Sequence, residues 1–240
     1  MKQITLAIVL LFGVFTGLFA QKTTNQPTNP TIRVQEKIYR LALENNDLEV
    51  ATNAVYQLLA IQPEKTSWED TLCLLYHGRG YYLQSGSLAK KILKRNPEAL
   101  AFREVLAQAY ENTGNYLDAL RQYDALLKAD VINSVYLYKM VLMQYMLKYY
   151  NDCEKTVLKI IEDPASNNMT ITTQIDPEVS EMKEVPLKAA ILNILGVVYM
   201  DMNQSEKAEE AFNKALVLQP DYIMVKQNLL KLKAPSKSTP

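Results

Sequence analysis

Apolar side chains recur along this chain with helical spacing, in pairs of segments joined by short polar turns. The clearest pair lies at 187–220, LKAAILNILGVVYMDMNQSEKAEEAFNKALVLQP. Its first segment carries Leu192 and Leu195, and its second carries Ala208 and Phe212. Residues three or four apart share one face of an α-helix, so each segment predicts an amphipathic helix with one apolar face. The two helices are expected to pack against each other.

Small and bulky residues follow a fixed order within this pair. Gly196 and Ala208 are small where the two helices must approach closely. Tyr199 and Phe212 are large where the pair must fill space, and a proline ends the second helix. This ordered set resembles the tetratricopeptide repeat, a helix–turn–helix unit of about 34 residues, and on that resemblance the unit spans 189–222.

The same plan recurs upstream in steps of 34 residues. The segment from Leu100 is the second clear match, with Tyr110 on its first helix and Tyr123 on its second. In the unit before it, Ser85 and Gly86 stand early in the second helix and predict that this helix starts late or bends, because glycine costs about 1 kcal/mol inside a helix. The predicted units are 32–65, 66–99, 100–133, 134–167 and 189–222.

The interval before the last unit is longer than the repeat by about 21 residues. An insertion is therefore expected at 168–188, NMTITTQIDPEVSEMKEVPLK, where threonine, isoleucine and two prolines break the helical pattern and predict a loop. Such a loop is either functional or a tolerated surface insertion. After the last unit, DYIMVKQNLLKLK at 221–233 predicts a capping helix whose lysines face water.

The resemblance implies an all-α fold, a right-handed superhelical array of about five helix–turn–helix units at 32–233 closed by that capping helix. In such an array first helices line the concave side and second helices the convex side. Each helix pair cannot bury its own apolar face, so neighbouring pairs stack. Function is then expected in the concave groove rather than in the fold itself.

The sequences at the two ends of the chain predict a signal peptide and disordered segments rather than parts of the folded array. Residues 1–20, MKQITLAIVLLFGVFTGLFA, have the basic start, apolar run and small neutral end of a signal peptide. Ala20 suits cleavage, whereas Leu18 is larger than usual at its position, and an uncleaved anchor is the alternative. Residues 21–31 and 234–240 are predicted to be a disordered leader and tail. The mature protein is expected to be exported through the inner membrane, to be periplasmic, cell-surface associated or secreted, and to have no stable membrane insertion.

Composition narrows the chemistry. The 26 basic and 26 acidic residues balance, which gives no reason to expect nucleic-acid binding. Cys73 and Cys153 lie two units apart, too far for the roughly 6 Å Cα separation of a disulfide, so buried free thiols are expected. His77 is the only histidine, and a lone histidine is more often a packing residue, although this one could face the groove. No metal spacing, phosphate loop or catalytic triad is found, so we expect neither enzymatic activity nor a cofactor.

The groove is the remaining place for function. Its projected lining is mixed in charge in the N-terminal half and apolar and aromatic in the C-terminal half, which suits an extended segment or a helix of a partner protein. Some of these side chains are equally expected to pack between units. The first hypothesis is a non-enzymatic protein–protein interaction module of the cell envelope, and the alternative is a small-molecule or glycan-binding accessory protein with the insertion as a lid. The candidate groove residues are His77, Gln108, Glu111, Tyr138, Lys139, Tyr145, Asn193 and Met200.

Overall fold

A computed structural model describes residues 29–129 and 133–234, which form eleven α-helices, one 3₁₀ turn and a two-stranded sheet. The predicted signal peptide, most of the predicted leader and most of the predicted tail lie outside these residues. Contacts divide the chain into two compact units, Met1–Thr113 and Gly114–Pro240. The helices are α1 (Pro30–Glu44), α2 (Leu48–Ile61), α3 (Ser67–Gly78), α4 (Tyr82–Arg95), α5 (Leu100–Asn112), α6 (Tyr116–Ala129), α7 (Ser134–Met146), α8 (Tyr150–Glu162), α9 (Leu187–Asp201), α10 (Ser205–Leu218) and α11 (Ile223–Lys233).

A residue in the left-handed backbone region stands in the turn of every helix pair. Three of the five are not glycine, and their φ angles lie between 55° and 58°. A left-handed residue lets the chain leave one helix and reverse direction. Four of these positions are 34 residues apart, and the fifth follows after 55, which is the repeat interval plus the predicted insertion. The positions are Asn46, Gly80, Gly114, Lys148 and Asn203.

Unit 1 contains α1 to α5, packed in sequence order around small residues. Ala51 and Ala89 are fully buried between helices. The expected late start of α4 is wrong, because this helix begins at Tyr82 and includes both Ser85 and Gly86 as buried residues. A Cβ added at Gly86 would lie 3.0 Å from the side chain of an alanine in α5, so the close approach of α4 and α5 explains the small residue.

Unit 2 contains α6 to α11, and α9 lies at the centre of its core. Eleven of the fifteen residues of α9 are buried, because neighbouring helices and the sheet cover it on several sides. Gly196 allows the ring of Phe212 to lie directly on the α9 backbone. The prediction of an all-α protein built from consecutive helix pairs with a closing helix is confirmed for the described residues.

The insertion forms a β-hairpin instead of the expected loop. A 3₁₀ turn at Pro164–Asn168 leads into β1 (Thr170–Gln174), which pairs antiparallel with β2 (Met182–Pro186). Ile171 and Thr173 point inward and alternate with exposed threonines. β-Branched side chains with a period of two favour a strand that is buried on one face, and the prolines lie outside the paired centre. This local alternation explains why the loop prediction was wrong.

Candidate functional site

The β-hairpin lies on the face of unit 2 that is formed by the first helices of its pairs. β1 contacts α7 and α9, and β2 contacts α9. The hydroxyl of Tyr138 on α7 is 3.3 Å from that of Thr173, and the backbone N–H of Met224 on α11 donates to the carbonyl of Ile175 at 2.8 Å. Tyr138 and Met224 thus mark the surface on which the hairpin packs. An extended strand therefore already lies on the kind of surface where the resemblance predicts a partner.

Asn193, one of the candidate groove residues, is used inside unit 2. Its side chain is buried and its Oδ1 accepts a hydrogen bond from Nδ2 of Asn228 at 3.0 Å. Its own Nδ2 lies 3.8 Å from the sulfur of Met224. Tyr222 is buried in the same cluster, and burial raises the pKa of its phenol. Buried polar groups are stable only when they are hydrogen-bonded, so these contacts hold α11 against α9.

The other candidate residues of unit 2 are half-buried. Met200 packs against the core, and Lys139 stands on α7. The ring centroids of Tyr145 and Tyr150 are 6.4 Å apart, and the hydroxyl of Tyr150 donates to Oδ2 of Asp201 at 3.2 Å. Burial raises the pKa of Tyr145, and the Asp201 carboxylate raises it further. Tyr145 thus belongs to a tyrosine–carboxylate group formed by the C-terminal ends of α7 and α9 and the first residue of α8.

Unit 1 brings two candidate residues together on its first helices α3 and α5. His77 neighbours Gln108, whose Nε2 donates to Oε1 of Glu104 at 3.0 Å. The ring of Tyr82 stands edge-on to His77 at 5.8 Å. Burial lowers the pKa of His77, although Gln108 and Glu104 favour its protonated form. With Glu111, which lies one turn after Gln108, these residues form what we call the polar patch: His77, Glu104, Gln108 and Glu111.

The two thiols are packing groups. Cys73 and Cys153 are buried and unpaired, which confirms the expectation from the sequence. The Cys73 thiol donates to the carbonyl of Ser85 at 3.3 Å, and that of Cys153 donates to the carbonyl of Val141 at 3.7 Å. Burial raises the pKa of each thiol to about 12, so the nucleophilic thiolate is scarce at neutral pH. In the part of the chain that the structure describes, no His, Cys, Asp and Glu side chains are grouped as metal ligands.

A tyrosine and arginine cluster on unit 1 was not anticipated from the sequence. The hydroxyls of Tyr56 and Tyr76 are hydrogen-bonded, and the guanidinium of Arg79 lies 4.6 Å from the ring centroid of Tyr81. Burial, followed by the neighbouring Tyr56, raises the pKa of Tyr76 to about 12. Tyrosine and arginine are frequent at protein interfaces. The sequence signal is diffuse, because the four residues come from two helices and a turn.

Two open depressions are found on the described surface, and neither is lined by a candidate residue. One, of about 300 Å³, lies between the tip of the hairpin and the start of α11 and includes Asp176 and Lys226. The other, of about 290 Å³, lies at the turn between α7 and α8 and includes Tyr149 and Met202. A closed ligand pocket in the groove would be lined by Tyr138 and Tyr145, but these residues line neither depression.

No helix within residues 29–129 and 133–234 combines the length and apolar character needed to span a bilayer.

Comparisons with known proteins agree on one family. Residues 81–130 and 189–222 match models of the tetratricopeptide repeat. No curated protein sequence matches the chain. Among solved structures, YrrB, described as a TPR protein with an unusual peptide-binding site, has a TM-score of 0.60 at 14% identity, over 83% of this chain and 97% of that chain.

MamA shows a similar likeness. Its crystal structure has a TM-score of 0.59 at 14% identity, over 85% of this chain and 97% of that chain. MamA from Desulfovibrio magneticus RS-1, from residue 41 to its end, has a TM-score of 0.58 at 14% identity, over 80% and 97% of the two chains. At this identity the likeness shows the fold alone.

Proposed function

We propose that the chain, which is a tetratricopeptide repeat protein, is a non-enzymatic scaffold of the cell envelope. It binds an extended segment or a helix of a partner protein along its first helices. The repeats and their structural neighbours support the general role in protein–protein interaction. The groove as binding site and the envelope as location are our own extension. The location rests on the signal-peptide pattern of residues 1–20.

The β-hairpin carries the proposal for the groove. Ile171 and Thr173 alternate inward on the first helices of unit 2, and Tyr138 meets the threonine hydroxyl. An extended chain is thus accommodated there by alternate side chains and a few polar contacts. Recognition of an extended segment through its alternate side chains is a recurring way of binding peptides. The first helices of unit 1 present the corresponding surface, which is where we expect a separate chain to bind.

The polar patch supports that extension to unit 1. Gln108 and Glu104 supply an amide and a carboxylate, and His77 supplies an imidazole, on the first helices α3 and α5. Peptide groups of an extended segment need both donors and acceptors, which this patch provides. The half-buried positions of these side chains suit recognition, since partial burial strengthens hydrogen bonds relative to fully solvated groups.

The alternative of a small-molecule or glycan site with the hairpin as a lid has weaker support. A lid must cover an empty space, whereas Ile171, Ile175 and Val185 of the hairpin are packed into the core of unit 2. Neither open depression is lined by Tyr138 or Tyr145, although Tyr150, the ring neighbour of Tyr145, lines the second. The proposed scaffold therefore accounts for more of what surrounds the candidate residues.

Site-specific photo-cross-linking tests the proposal. A photoreactive amino acid is placed at Gln108 or Lys139 on first helices and, as a control, at the exposed Lys94 or Lys155 on second helices. After irradiation in cells of the source organism, adducts are identified by mass spectrometry. We expect one partner protein to be attached from the first-helix positions and not from the controls. Equal labelling from all four positions would contradict a groove.

A binding measurement with the purified partner completes the test. The double substitution His77→Ala and Gln108→Ala should weaken binding by about tenfold, because a buried or half-buried hydrogen bond contributes roughly 0.5–1.5 kcal/mol. Substitution of Lys94 by alanine should leave the affinity unchanged. Thermal denaturation of each variant establishes that the fold is retained.

A further inference from the structure

The β-hairpin has a defined set of backbone groups that point away from its own pairing. The N–H of Leu187 donates to the carbonyl of Met169 at 2.8 Å, so these two residues form a hydrogen-bonded pair. Hydrogen-bonded and non-hydrogen-bonded pairs alternate along an antiparallel ladder. The register places Thr172 opposite Glu184, three steps along from that pair. The N–H and C=O of Thr172 therefore point outward from the edge of β1, and those of Glu184 point outward from the edge of β2.

These outward groups are available on both strands. Outside the β1–β2 ladder, the backbones of Thr172 and Glu184 form no backbone–backbone hydrogen bond within the described part of the chain. Both residues are exposed. An edge strand with unpaired N–H and C=O groups is a template for a further strand.

The two edges differ in their protection. β2 carries Lys183 and Glu184, and Pro186 at its end lacks an N–H donor. Charges and proline are the devices by which proteins discourage edge pairing. β1 has the sequence TITTQ, with neither charge nor proline. The unprotected edge is that of β1.

The surroundings of β1 indicate what kind of strand fits. β1 is the strand that contacts α7, where Val135 is 43% exposed one turn before Tyr138 on the same helix face. The hairpin tip at 175–181, IDPEVSE, contains three carboxylates. Asp221 lies beside the tip with two lysines, Lys183 and Lys226, so carboxylates outnumber basic groups there. A strand that pairs antiparallel with β1 has its N-terminal end beside this tip. Charge complementarity therefore favours basic residues at that end and uncharged β-branched residues along the rest.

We infer that β1 is a docking edge for an extended segment of a partner protein, which adds antiparallel to the hairpin through the backbone of Thr172 and lies over α7. The segment has lysine or arginine at its N-terminal end, followed by alternating threonine, valine or isoleucine. The inference rests on the proposed scaffold function and specifies one binding mode within it. Main-chain hydrogen bonds supply affinity in this mode, and alternate side chains supply specificity.

A peptide titration with matched proline variants tests the docking edge. The probe is a fluorescent synthetic peptide with two N-terminal lysines followed by alternating threonine and valine. Binding to the full chain is measured by fluorescence anisotropy at low salt. Thr172→Pro removes the outward N–H of β1, and Glu184→Pro removes the outward N–H of the opposite edge in the same residue pair. Since that pair is not hydrogen-bonded across the hairpin, neither proline removes a hydrogen bond of the β1–β2 ladder.

The expected result is asymmetric. Thr172→Pro should weaken peptide binding by about tenfold or more, whereas Glu184→Pro should leave it within about twofold of the unsubstituted protein. A peptide with alternate N-methylated backbone amides should not bind, which tests the mode without altering the protein. A peptide with glutamates in place of the lysines should bind more weakly. Circular dichroism melting of both proline variants establishes whether the hairpin is retained.

Three outcomes would overturn the inference. The first is equal binding to the Thr172→Pro and Glu184→Pro proteins. The second is equal binding of the N-methylated and unmodified peptides. The third is a concentration-dependent dimer, seen by analytical ultracentrifugation, that Thr172→Pro abolishes, because the occupant would then be a second copy of this chain. Cross-linking from Gln108 on unit 1 is independent of all three, so failure of the docking edge and failure of the scaffold function are distinguishable.

Discussion

At the scale of single residues, small side chains determine how closely the helices of a pair approach. Gly196 faces the ring of Phe212, and a Cβ added at Gly86 would lie 3.0 Å from the Cβ of Ala109, closer than an ordinary van der Waals contact. Protein interiors are close-packed, so a missing side chain on one helix is matched by a bulky one or a nearby backbone on the other. These positions are structural, and they explain why the best-preserved unit contributes little that is specific to this protein.

Gly196→Ala is therefore predicted to destabilise unit 2. The added Cβ would lie 2.7 Å from Cζ of Phe212 and closer still to two other ring carbons, in a helix that is buried on most sides. Overpacking of this kind costs about 1–3 kcal/mol. Urea denaturation followed by circular dichroism measures the change in the free energy of unfolding.

Gly78→Ala is the matched control for that measurement. Gly78 is also helical, but its nearest neighbour for a new Cβ is Leu48 Cδ1 at 3.9 Å, an ordinary contact. Alanine is a better helix former than glycine, so this variant should be as stable as the unsubstituted protein or slightly more so. Equal losses from the two substitutions would mean that the Phe212 contact does not limit the packing of unit 2.

At the scale of elements, the hairpin is the one element that the repeat pattern could not supply. Helical spacing and the order of small and bulky residues were enough to predict the helix pairs, because each pair repeats a local plan. The 168–188 segment belongs to no repeat, and its period-two alternation covers only a few residues. Its position on α7 and α9 depends on contacts between residues distant in sequence. The sequence was therefore enough to place the insertion in the chain, but it predicted neither the hairpin nor the helices on which the hairpin packs.

The candidate site was less predictable than the fold for a related reason. Projection of the family pattern predicts which residues lie on first helices, and two of them, His77 and Gln108, are neighbours in the structure. It cannot distinguish a residue that faces a partner from one that the insertion covers. Asn193 illustrates the same limit for packing within the array, because it is buried and bonded to Asn228 of α11, a helix outside the repeat pairs.

Ile171→Ala tests whether the hairpin is part of the core of unit 2. Ile171 is 6% exposed and belongs to the same apolar cluster as α9. Removal of a buried isoleucine side chain to alanine costs about 2–5 kcal/mol in free energy of unfolding. Chemical denaturation of the full chain gives this value.

Thr172→Ala provides the comparison within the same strand. Its side chain is exposed on the opposite face, so the free energy of unfolding should change by no more than about 0.5 kcal/mol. If Ile171→Ala were as mild as Thr172→Ala, the hairpin would be loosely attached, and the docking edge of β1 would lack a fixed support.

At the scale of the whole molecule, the remaining question is where the scaffold works. The array consists of stacked local units, and nothing in its helix pairs depends on a particular compartment. Our prediction of the location rests instead on residues 1–20, whose pattern predicts export with cleavage after Ala20. A partner in the cell envelope and a partner in the cytoplasm would require different binding experiments, so cleavage is a property of the whole protein that has to be measured.

Mass spectrometry of the protein purified from a bacterial envelope fraction should give a chain that begins at Gln21. Ala20→Tyr should leave the precursor uncut, because the residue before a signal-peptide cleavage site must be small. Phe19→Tyr places the same side chain one position earlier, where bulk is tolerated, and should be cleaved normally. A native protein that retains Met1 and is extracted only with detergent would instead indicate the uncleaved anchor, which would hold the array at the membrane surface and restrict its partners to those within reach of that anchor.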